Sequence, residues 1–156
     1  MIAVEAFAAA VEGSALGSFA RSSGWVYPIA NLVHLLGLVL LVGGIGIVDL
    51  RLAGAFRTLP VAALSRALTP LAILGLICMA LSGPVLFAAD ARSLIRSDYF
   101  QVKLLLIGIA LVNAAAFRWL WSPAAGEVTP VLRAMAIGSI LLWLTVAALG
   151  RLIAYA

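Results

Sequence analysis

The chain is short of almost everything from which soluble proteins and metalloenzymes are built. Of its 156 residues only 10% are charged, six are acidic, and histidine and cysteine occur once each. Soluble domains typically carry about 25% charged and about 45–50% apolar residues, whereas the apolar share here is 65% and the mean hydropathy is +1.21. That scarcity of charge excludes a water-soluble fold and a disordered chain. The lone Cys78 excludes an internal disulfide framework and a thiolate metal cluster. With one histidine and so few acids, a protein-only zinc site lacks ligands. No Ser/His/Asp or Cys/His arrangement and no pair of intramembrane carboxylates is present, and proton- or ion-coupled transport, which buries acids at mid-membrane, has no support. The ten basic residues give a net charge of +4. They are scattered singly, so they suit interfacial anchoring and not nucleic-acid binding.

What the chain does have is long uncharged runs. A bilayer core of ~30 Å needs about 20 apolar residues at ~1.5 Å each. No charge lies between Arg21 and Asp49, between Arg66 and Asp90, or between Arg133 and Arg151. The expected spans are about 25–48, 68–88, 99–121 and 131–152. The third is the least regular, because it must include Lys103 and Arg118 near its ends, where long basic side chains can snorkel to the headgroups. Pro130 suits the first turn of the fourth span. Trp25, Tyr27, Tyr99, Trp119, Trp121 and Tyr155 sit near span ends, as interfacial aromatics do. The expectation is therefore an all-α integral membrane four-helix bundle forming a single domain over 1–156.

Residues 2–19 precede the first span and carry Glu5 and Glu12 without a basic leader region, unlike a signal peptide. Val4, Phe7 and Val11 form an apolar stripe beside the two acids. This predicts one short amphipathic helix on the membrane surface, the alternative being a frayed alanine-rich terminus. The acid-free first loop with Arg51, Arg57 and Arg66 favours the cytoplasm and both termini outside, although the ten basic residues taken together divide evenly, five on each side.

The few polar groups inside the spans are the candidates for chemistry. Tyr27, Asn31 and His34 recur at i, i+4 and i+7 and share one face of the first span. A neutral imidazole there can ligate a metal, bond a quinone carbonyl or fasten a neighbouring helix. On the second span Gly75, Met79 and Gly83 are spaced by four. Such glycines either admit a close helix or leave room for a flat ligand. Aligning Trp25 with Ala88 puts Met79 at the depth of His34, and His/Met is a haem-iron ligand pair. Lys103 begins the third span on the same side, either snorkelling outward or turning inward toward a propionate or other anion. Asn113 is expected to bond between helices, and Asp49 with Arg51 to form an interfacial pair with a loop.

The stretch WVYPIANLVHLLGLVLLVGGIGIVDLRLAGAF at Trp25–Phe56 resembles a bacterial family of small four-helix membrane proteins of unknown function, with its W-x-Y-P-x-x-x-x-x-H-x-x-G pattern followed by D-L-R-L. Tyr99-Phe100-Gln101-Val102-Lys103, with Asn113 ten residues on, resembles that family's third-helix entry. The family is distantly similar to copper-resistance D proteins and to bacterial membrane protoporphyrinogen oxidases. The second likeness implies haem b, with His34 and Lys103 at the matching positions. Many relatives place a further histidine late in helix three, where this chain has Phe117-Arg118. If that histidine is the second haem ligand, Met79, a partner copy's histidine or an open coordination site must substitute.

These readings combine as a small multi-pass protein of the bacterial inner (cytoplasmic) membrane. The expectation is a haem b-binding redox or electron-transfer component with His34 as axial ligand, Met79 as the candidate second ligand, and Tyr27, Asn31, Gly75, Gly83 and Lys103 around the cofactor. The competing readings are a non-catalytic membrane scaffold or accessory subunit and a copper-handling membrane protein. The expected partners are the lipid bilayer, a quinone or other redox partner, and a second copy or larger membrane complex, with no nucleic acid.

Overall fold

The computed structural model describes residues 2–121 and 128–155. The described residues form seven α-helices and no strand: α1 (Ile2–Glu12), α2 (Ala15–Ser22), α3 (Val26–Ala53), α4 (Val61–Ala89), α5 (Ala91–Arg96), α6 (Asp98–Leu120) and α7 (Pro130–Leu152), which ends in a 3-10 turn at Ile153–Tyr155. Helices α3, α4, α6 and α7 are long and apolar enough to cross a bilayer. The chain is thus a multi-pass membrane protein built as an all-α four-helix bundle. The near end of the bundle is where α3 and α6 begin and α4 and α7 finish; the far end is opposite.

The bundle is organised around one antiparallel pair, α3 and α4. Gly37, Leu41, Gly44 and Val48 are buried on α3, and Ser65, Ala72, Gly75, Met79 and Ser82 on α4. Steps of three and four residues keep one narrow stripe facing the partner, the pattern of a tight left-handed seam. A Cβ added at Gly75 would lie 2.6 Å from the Leu41 nitrogen, and one at Gly37 would lie 2.7 Å from the Gly75 oxygen. These helices therefore meet backbone to backbone, which only glycine permits. Without a hydrophobic force between helices in lipid, such close dispersion contact is what holds them together. Helix α7 adds Trp143 and Val146, and α6 adds Ala110, to a core shared with Leu41, Ala72 and Met79.

Two helices are longer than the apolar runs that announce them. Helix α3 passes Val48 and continues to Ala53, where Gly54 at φ +117° supplies the left-handed stop. Helix α4 begins at Val61 behind Pro60, a full two turns before Leu68. At ~1.5 Å per residue, 28 residues in α3 span roughly 42 Å, more than the ~30 Å hydrocarbon core. The chain thus leaves the hydrocarbon before it leaves the helix. Arg51 then folds the connecting loop, donating from Nε to the Leu59 carbonyl at 2.6 Å and from Nη2 to the Arg57 carbonyl at 3.0 Å. Asp49 does not join that loop; it turns into the bundle and is 4% exposed.

The N-terminal segment is two short helices and not one. Gly13-Ser14 breaks it, and the Ser14 hydroxyl caps α2 by accepting from the Gly17 nitrogen at 3.2 Å. The helix pair is docked at the near end instead of frayed. Glu12 Oε2 accepts from the Arg92 backbone N–H at 3.0 Å, Arg96 pairs with Glu5 at 3.1 Å, and Arg21 donates to the carbonyls of Ala88 and Ala89 at 3.4 Å each. Val4, Phe7, Leu16 and Phe19 remain exposed, as suits short helices lying in the interface with apolar side chains toward lipid.

Candidate functional site

His34 lies on α3 some two turns below the near end, half-buried against α4. Its Nδ1 is 2.9 Å from the hydroxyl of Ser82, and that hydroxyl is 2.6 Å from the carbonyl oxygen of Cys78. The two distances together fix the protons. A carbonyl only accepts, so Ser82 donates to Cys78 and its oxygen is left to accept from His34 Nδ1–H. The neutral ring then carries its lone pair on Nε2, free to coordinate a metal or accept a hydrogen bond. Anchoring one ring nitrogen so that the other is presented is how proteins orient ligating histidines. The ring packs over Gly83, where an added Cβ would meet His34 Cε1 at 3.7 Å, an ordinary contact.

Lys103 enters the same quarter from α6. Its Nζ lies 3.4 Å from where a Cβ on Gly150 of α7 would stand, so the missing side chain at Gly150 lets the ammonium lean onto the bundle. It leans against α7 instead of simply snorkelling away. Among the described residues Lys103 makes no hydrogen bond and no ion pair; the ion pair present is Arg96–Glu5. Phe87 and Phe100 stack at 5.6 Å across α4 and α6. The quarter thus offers a nitrogen lone pair and a cation without a counterion among the described residues, a set that matches a ligand with an electron-poor centre and an anionic arm.

The remaining sequence candidates are distributed differently. Met79 does not face His34. The α3–α4 register is shifted by three residues, about one turn, from the alignment of Trp25 with Ala88. Ser82 therefore meets His34, and Met79 sits one turn deeper with its Cγ 2.9 Å from a Cβ position on Gly37. Gly75 serves the close helix approach, which leaves no slot there for a flat ligand, whereas Gly83 lies against the His34 ring with room for a methyl group. Tyr27 is exposed at the near end and Asn31 is half-buried one turn above His34. Neither makes a side-chain hydrogen bond among the described residues. Asn113 donates from Nδ2 to the Met135 carbonyl at 3.1 Å, fastening α6 to α7.

Ser82 is the site residue that the sequence reading passes over. A single hydroxyl in an apolar run is inconspicuous, and the signal for it is depth: Ser82 lies seven residues before the end of α4, close to the level of His34. Asp49 is the second surprise. It sits beside Ser139, and its Oδ2 is buried with no hydrogen-bond partner among the described residues. Among those residues no three His, Cys, Asp or Glu side chains come together as a metal cluster.

The family model that matches this architecture is DUF6644, a family of unknown function, and it covers residues 7–156. The chain belongs to that family. No curated protein and no solved structure matches it.

Proposed function

We propose that this protein is a haem b-binding redox component of the bacterial cytoplasmic membrane, with His34 as axial ligand and Lys103 as the partner of a propionate. The observation that carries the reading is the Ser82-anchored imidazole with its bare Nε2, in the same half of the bundle as Lys103, a cation with no counterion among the described residues. The residues present fit one axial nitrogen and one carboxylate partner. They do not fit a His/Met pair, because Met79 belongs to the α3–α4 seam one turn deeper. When bound, haem would supply one-electron chemistry. The chain's own part is to hold the ring in one tautomer through Ser82, to neutralise the anionic arm through Lys103, and to exclude water with the aromatic pair Phe87–Phe100. A quinone or a membrane protein would complete the electron path.

The competing reading, a scaffold or accessory subunit, rests on His34–Ser82 and Asn113–Met135 as bonds that fasten helices. Absorption spectra of the detergent-purified protein, oxidised and dithionite-reduced, separate the two. The haem reading expects a Soret band that shifts on reduction, disappears in His34→Ala and persists in Met79→Leu. A colourless protein after expression with ample haem sinks it and favours the scaffold. Metal bound without a porphyrin band would turn attention to copper.

A further inference from the structure

The far end of the bundle holds a second polar site, on the bilayer-facing side between α4 and α6 and independent of His34. A groove of about 430 Å³ is lined by Ser65, Arg66, Thr69, Pro70 and Ile73 from α4 and by Arg118 from α6. Its volume falls within the range of about 300–1,000 Å³ typical of small-molecule sites. Two guanidinium-bearing residues from different helices thus border one space with no acidic residue in its lining. Among the described residues neither side chain donates a hydrogen bond, and the ion pair present, Arg96–Glu5, is at the opposite end. An anion bound in the groove could be shared by both cations, and a guanidinium is shaped to bind phosphate oxygens in pairs.

The rest of the groove supports the same ligand. Ser65 is buried, and its hydroxyl lies 3.3 Å from the hydroxyl of Thr69. A bond between two hydroxyls uses one of their two protons, so the other remains to be donated. Pro70 and Ile73 continue the groove with apolar surface one to two turns deeper into the membrane. Cationic and hydroxyl donors at the headgroup level above an apolar wall describe an amphiphile, not a free ion. Basic pockets between transmembrane helices are known to take anionic headgroups.

We propose that the Arg66–Arg118 groove binds an anionic phospholipid, its phosphate held by the two guanidinium groups and the Ser65–Thr69 pair and its acyl chain lying along Ile73. The test uses the full chain, delipidated in a neutral detergent and titrated with dioleoyl-phosphatidylglycerol, dioleoyl-phosphatidylcholine or inorganic phosphate. Thermal unfolding and native mass spectrometry read the binding. Phosphatidylglycerol should raise the Tm and be retained in the gas phase, with phosphatidylcholine and inorganic phosphate giving little. The R66Q/R118Q double variant should bind it about tenfold more weakly or worse. Arg133→Gln, an exposed far-end arginine outside the groove, should behave as the parent chain, and R66K/R118K, which keeps both charges, should retain part of the preference. The proposal is overturned if phosphatidylglycerol and phosphatidylcholine act alike, if R66Q/R118Q keeps the full preference, or if inorganic phosphate alone reproduces the shift.

Discussion

The α3–α4 seam and the quarter of the bundle around Lys103 both depend on glycines, and the glycines do opposite things. At Gly37 and Gly75 the absent side chain is replaced by the backbone of the neighbouring helix, and nothing else fits. At Gly83 and Gly150 it is replaced by the tip of a polar side chain, His34 Cε1 at 3.7 Å and Lys103 Nζ at 3.4 Å. One region uses its small residues for close backbone contact. The other sets them against two polar side chains that retain bonding capacity among the described residues. In a bilayer, where helices gain little from hiding apolar surface from each other, close contact supplies stability, and polar groups left short of partners mark function.

Three substitutions probe that contrast. Gly75→Ala should have the largest effect, since its Cβ would stand 2.6 Å from the Leu41 nitrogen and 3.0 Å from Leu40 Cβ, where rigid helices must part. A loss of about 2–3 kcal/mol is expected from overpacking of this kind, read as a lowered thermal midpoint in detergent. An unchanged midpoint would mean that the seam is loose. Ser82→Ala comes next. It removes the acceptor for His34 Nδ1–H and should cost about 1–2 kcal/mol. It should also free the ring to change tautomer, visible as altered imidazole resonances in labelled protein. Gly83→Ala should be the mildest and of opposite sign. Its Cβ meets only an ordinary contact at 3.7 Å, so the helix-propensity gain of up to about 1 kcal/mol should show as equal or slightly raised stability. A large loss there would erase the distinction between the two regions.

The sequence made the spans readable because charge is so sparse, yet the same cue misplaced their ends. Asp49 and Arg66 mark where the uncharged runs stop, but α3 continues to Gly54 and α4 starts at Val61. Intrahelical hydrogen bonds persist into the headgroup layer, and Asp49 points inward beside Ser139. The N-terminal break at Gly13-Ser14 was there to be read as a capping signal; the expectation of one helix extends the amphipathic stripe at Val4, Phe7 and Val11 past it. His34, Lys103 and Asn113 stood out as isolated polar residues in apolar runs. Their companions did not. Counting residues from each helix end places Met79 level with His34 and misses Ser82, because a depth estimate carries an error of about a turn and one turn changes the partner.

Composition and charge spacing alone therefore determined that this chain crosses a membrane four times as helices, since a polar backbone in hydrocarbon has no other way to satisfy its hydrogen bonds with these residues. Which side chains meet was decided only in the tertiary structure. The Gly37–Gly75 approach fixes the α3–α4 register, and the register gives His34 to Ser82 and Met79 to the core. Burial periodicity specifies a face of a helix, but sliding two such faces past each other by a turn leaves each pattern intact. Only the steric fit of backbone into glycine chooses among those positions.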